Sequence, residues 1–69
     1  MKYAVLIEQA AGNLSAYVPD LPGCVATGTN TEQVKNNIKS AIKLHIEGLR
    51  AQGLTVPAPS TACDYIDAG

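Results

Sequence analysis

Residues 30–53, NTEQVKNNIKSAIKLHIEGLRAQG, put Val34, Ile38, Ala41, Ile42, His45 and Leu49 on one side of a helix, because side chains three and four positions apart lie above one another. Asn30 stands where an N-cap belongs and Gln33 follows three positions later, the spacing of a capping box. Gly53 supplies the stop, and Gly48 weakens the last turns slightly. A helix with a single apolar stripe cannot bury that stripe alone. In a chain of 69 residues the remainder must therefore build the layer that receives it.

The remainder reads with a period of two. In residues 2–8, KYAVLIE, Tyr3, Val5 and Ile7 alternate with Ala4 and Leu6, which predicts a strand apolar on both faces. AAGN at 10–13 has turn chemistry. A second strand follows at about 14–19, with Leu14, Ala16 and Val18 on one face and Ser15 and Tyr17 on the other, so the first two strands form an antiparallel hairpin. Pro19 and Pro22 have no N–H to give a ladder, and pairing is expected to lapse there before a third strand at roughly 24–29. Beyond the helix, VPAPS at 56–60 is extended, and TACDYI at 61–66 reads as a short final strand. The order β-β-β-α-β predicts one α+β domain over residues 1–69: an antiparallel meander sheet, one helix packed on one face, and a last strand returning to the sheet.

One helix covers one face only. Apolar groups on the other face (Tyr3, Val5, Ile7 or their alternates) are left for a second copy or another protein. The chain is 46% apolar and small, and chains of this size commonly add an oligomer partner to reach useful stability. A homo-oligomer, dimer or higher, is therefore expected.

Several kinds of chemistry find little support. Net charge is −1, without the basic excess of a nucleic-acid binder. Lys35, Lys39 and Lys43 fall at i, i+4 and i+8 with Arg50 near the same azimuth, but Glu32 and Glu47 interrupt them and no aromatic residue is interleaved; they read as the solvated back of the helix rather than a phosphate-binding ridge. His45 lies within the apolar stripe and is expected to be a half-buried, hydrogen-bonded core residue. Cys24 and Cys63 fit no metal-ligand or redox spacing, and free thiols are expected. A nucleophilic Cys24 would need a base such as His45 in contact, within a motif that is absent. The carboxylates are scattered; Glu8 and Asp64 are the two that a returning strand would bring together, too few for a two-metal nuclease. No catalytic set, cofactor or metal is expected. The start MKYAVLIEQA has too short an apolar run for an export signal or a membrane span, which favours the cytoplasm. Tyr3, Tyr17 and Tyr65 fall on the strands, as packing residues first and interface anchors second. In PDLPG, Asp20 is expected to accept hydrogen bonds from backbone N–H groups of its own turn.

The run YVPDLPGCVATGTNTEQVKNNIKSAIKLHIEGLRAQGLTVPAPS resembles the N-terminal domain of HicB-like antitoxins of type II toxin–antitoxin systems. The pieces that carry the resemblance are a hairpin ending in PDLPGC, a small-residue strand leading through GTN into the helix, the helix text AIKLHIEGL, and the exit VPAPS. Together they span about residues 2–66. The resemblance implies a partial RNase H-like fold without the acids of a nuclease. It also implies a role: masking a small, basic, HicA-like toxin that cleaves mRNA. Many members carry a further DNA-binding domain. This chain ends at Gly69, so a single HicB-like domain with no direct DNA binding is expected. Tyr17, Asp20, Leu21 and Tyr65 are the expected partner-binding residues. Two alternatives stand beside this reading: an oligomeric binding domain without a toxin, and a metal-dependent nuclease using Glu8 and Asp64.

Overall fold

The alternating stretches become three strands, β1 (Leu6–Ala10), β2 (Asn13–Tyr17) and β3 (Val25–Gly28), and the amphipathic stretch becomes α1 (Thr31–Ala51), in a computed structural model that describes residues 1–69. The sheet is an antiparallel meander in the order β1-β2-β3. Ile7 pairs with Ala16 and Ala16 with Ala26, while Leu6 pairs with Tyr17 and Tyr17 with Val25. Alternate residues point to opposite faces, so the register sorts the side chains into two sets. Ile7, Ala16, Ala26, Leu14 and Gly28 share the inner face, and Leu6, Tyr17 and Val25 share the outer one.

The helix lies on the inner face over β3 and β2, with Val34 and Ile38 buried beneath it. Small residues make the approach possible. A Cβ on Gly28 would sit 2.6 Å from the Val34 backbone nitrogen, closer than any side chain tolerates. The core is Ala16, Val18, Leu21, Cys24, Val34 and Ile38. It sits under the β2–β3 half of the sheet and leaves β1 reaching past the helix.

Both helix ends are capped. Asn30 Oδ1 accepts from the Gln33 N–H at 2.8 Å, as the sequence predicts. The reciprocal bond lands one residue earlier than a capping box requires: Gln33 Oε1 accepts from the N–H and hydroxyl of Thr29, at 2.6 and 2.9 Å. At the other end, Leu54 N–H reaches the Leu49 carbonyl at 2.9 Å and Gly53 N–H reaches Arg50 at 3.0 Å, which is a Schellman closure.

The PDLPG stretch is two consecutive turns. Leu21 N–H bonds to the Val18 carbonyl at 3.1 Å, and Cys24 N–H bonds to the Leu21 carbonyl at 3.0 Å. The second turn has Pro22 followed by Gly23 at φ 85°, the left-handed backbone that a type II turn demands at its third position. Pairing persists one step further than the prolines suggest, because Val18 N–H still reaches the Cys24 carbonyl at 3.1 Å. The first strand, by contrast, starts at Leu6 rather than Lys2. Beyond Tyr17 the central strand soon arrives at Pro19, which has no N–H to offer β1.

The last strand expected at 61–66 does not form; residues 54–69 contain neither helix nor strand. Thr61 to Tyr65 lie beside Val5, Leu6 and Ile7, on the side of β1 away from β2, across a gap of about 480 Å³. The segment occupies the neighbourhood of a fourth strand without a ladder to the first. The N–H groups of Ser60 and Thr61, which would open such a ladder, are spent on the Asp20 carboxylate.

Candidate partner-binding surface

On the outer face, Leu6, Tyr17 and Val25 lie side by side across all three strands. Leu6 is half-buried, Tyr17 is 37% exposed and Val25 is 62% exposed. The neighbouring row, Glu8, Ser15 and Thr27, is polar. The result is an apolar stripe with an aromatic ring at its centre and a polar border, the composition of a protein-contact patch. Sequence alternation identified Tyr17 and missed Leu6 and Val25 as its companions, since only the register brings the three into one row.

Asp20, at the third position of the first turn, turns its carboxylate outward. In place of the local bonds expected within its own turn, it makes bonds to a segment forty residues away. Asp20 accepts from the Ser60 N–H and hydroxyl at 2.9 and 3.0 Å, and from the Thr61 N–H and hydroxyl at 3.0 and 2.7 Å. These donors, the Thr61 N–H foremost, hold its carboxyl well below the usual carboxylate range. Leu21, between the two prolines of the turns, points inward and is 0% exposed, so its side chain belongs to the core. Tyr65 is 99% exposed in the tail. The four expected contact residues are thus placed differently from one another: Tyr17 faces out from the sheet, Asp20 holds the tail, Leu21 is interior, and Tyr65 is exposed in the tail that runs beside Leu6.

The lysine ridge is also placed differently from expectation. Lys35, Lys39 and Lys43 border a groove of about 520 Å³ between α1 and the first segment of the chain, walled by Tyr3, Val5 and Ile7 on one side and by Ile38, Ile42 and Ile46 on the other. The groove exists because α1 packs on β2 and β3 and not on β1. Ile46 extends the helix stripe beyond the residues picked out by periodicity. His45 is half-buried as expected, but its ring makes no hydrogen bond.

Nothing in the molecule gathers three or more His, Cys, Asp or Glu side chains around a point where a metal would bind. Cys24 is buried and Cys63 exposed, and both are free thiols; burial pushes the Cys24 thiol up, away from a nucleophilic thiolate. No helix is long and apolar enough to cross a membrane.

Residues 3–68 match the family model of the HicB-like antitoxin of bacterial toxin-antitoxin systems. An uncharacterised 14.9 kDa protein from the rep-hol intergenic region of Haemophilus phage HP1 is 33% identical over 67 residues, which is 97% of this chain and 50% of that protein. The chain thus spans half the length of this phage relative. A UPF0150 protein of Thermoplasma acidophilum is 38% identical over 58 residues, covering 83% of this chain and 84% of that one. Among solved structures, a HicA3 and HicB3 toxin-antitoxin complex contains a chain that superposes with a TM-score of 0.76 and 28% identity, over 87% of this chain and 70% of that one.

Proposed function

The chain belongs to the HicB-like antitoxin family, and from that premise we propose that it is a protein-binding module that neutralises a small, basic, HicA-like toxin by covering the surface with which the toxin cleaves mRNA. The observation that carries this reading is the likeness of the fold to a chain of the HicA3 and HicB3 complex. The apolar stripe Leu6–Tyr17–Val25 supports it physically. An aromatic ring flanked by two aliphatic side chains on a rigid sheet supplies contact area at little cost in conformational entropy. Asp20 contributes by fixing the tail and not by touching the toxin. The module works by occlusion, without catalysis or cofactor, and in the cytoplasm, where Cys24 and Cys63 remain thiols.

The experiment is a search for a short basic protein encoded next to this one, followed by co-expression of the two. A functional pair co-purifies, and growth arrested by the toxin is restored. Val25→Arg, at the open end of the stripe, is expected to abolish both effects while leaving the fold intact. A neighbour that neither binds nor is relieved of toxicity overturns the reading and leaves a binding domain with another target.

A further inference from the structure

The groove beside β1 and the last residues of the chain have complementary chemistry. The groove has an apolar floor, a lysine on each successive turn of one rim (Lys35, Lys39, Lys43), and no acidic residue in its lining. The tail has the reverse pattern. Tyr65 and Ile66 are 99% and 86% exposed, more than any other large apolar residue in the molecule. Asp64 and Asp67 bracket them, and residues 54–69 contain no lysine or arginine. The two acids hold only neighbouring backbone N–H groups, of Tyr65 and Gly69. We propose that the groove receives Asp64-Tyr65-Ile66-Asp67 from a second copy of this chain, with Tyr65 and Ile66 on the apolar floor and the two carboxylates against the lysine rim.

The tail is tied down at two points and follows a path outside its own groove, whose lining includes none of its residues. Tyr3 hydroxyl donates to the Pro57 carbonyl at 2.6 Å, and Asp20 grips Ser60 and Thr61. From there the chain passes along β1 and carries its apolar pair into solvent. Residues 62–67, extended at about 3.3 Å each, reach about 20 Å from the anchor at Thr61, which compares with the two shorter dimensions of the molecule, 26 and 16 Å. Each chain owns one tail and one groove, so exchange about a two-fold axis satisfies both at once and closes the assembly at a dimer. The association is a property of the protein alone, and the toxin-masking role above neither requires it nor depends on it.

The test is sedimentation of the purified protein without a toxin, using exposed residues so that the fold is preserved. The wild type is expected to show a concentration-dependent monomer–dimer equilibrium that weakens with salt. Lys39→Glu/Lys43→Glu and Asp64→Lys/Asp67→Lys are each expected to weaken dimerisation at least about tenfold. An equimolar mixture of the two variants restores it, because the reversed groove then meets the reversed tail and the natural groove meets the natural tail. Tyr65→Ser/Ile66→Ser weakens it without rescue. A protein that stays monomeric at about 1 mM, a dimer indifferent to both charge reversals, or variants that fail to rescue one another overturns the proposal. So does a monomer whose groove binds its own tail by NMR, or binds a free amphiphile such as dodecanoate.

Discussion

Asp20 and Thr61, forty-one positions apart, are joined by two hydrogen bonds: the Thr61 N–H and hydroxyl donate to the two oxygens of one carboxylate, at 3.0 and 2.7 Å. Ser60 adds two more. This clasp ties the turn that ends the hairpin to the segment that leaves the helix, and no other side chain links the tail to the turn.

Asp20→Ala should release residues 58–69 while sparing the sheet and helix, since the Asp20 side chain points away from the core that its neighbours Val18 and Leu21 enter and bonds only to Ser60 and Thr61. Amide exchange and limited proteolysis will report it: protection lost at Ser60 and Thr61, and unchanged at Ala16 and Ile38. The acid dependence follows from the direction of the shift. The folded carboxyl is held below its ordinary value of 3.8, so the clasp contributes in full above that value and is lost as pH falls below it. The wild-type tail should therefore stay docked through the range where most carboxylates protonate and come free only in stronger acid. The alanine variant should show no such transition.

Gly28→Ala should destabilise the fold by about 1–3 kcal/mol, the range for forcing a methyl group into a packed contact. The Val34 backbone nitrogen 2.6 Å from that position cannot move without shifting the whole first turn of α1. Gly48 is the control: it lies within α1 with open space around its would-be Cβ. Gly48→Ala should raise stability by up to about 1 kcal/mol through helix propensity alone. Urea titration of both variants measures the contrast.

Leu21 and Val25, four residues apart, should separate stability from recognition. Leu21→Ala empties the centre of the core and should cost about 2–5 kcal/mol. Val25→Arg, at a position 62% exposed, should change stability by no more than about 0.5 kcal/mol yet abolish capture of the proposed toxin partner. Denaturation and co-purification read the two effects independently. A Leu21→Ala protein that remains fully stable would remove the two-turn account of PDLPG.

The helix, its cap at Asn30, its closure at Gly53, the hairpin and the order of the first three strands were all legible in the amino-acid sequence. Each is set by interactions between residues a few positions apart: period, capping side chains and turn glycines. What the sequence left open was decided by contacts across the chain. Whether 61–66 joins the sheet depended on which acceptor takes the Ser60 and Thr61 N–H groups, and Asp20 takes them. Whether Leu21 was surface or core depended on two consecutive turns swinging it inward. Whether Lys35, Lys39 and Lys43 were merely solvated depended on where the helix came to rest, because its position over β2 and β3 opened the groove they border. Local periodicity encodes which face of an element is apolar; only packing determines what that face meets, because close approach depends on the shape of both partners at once.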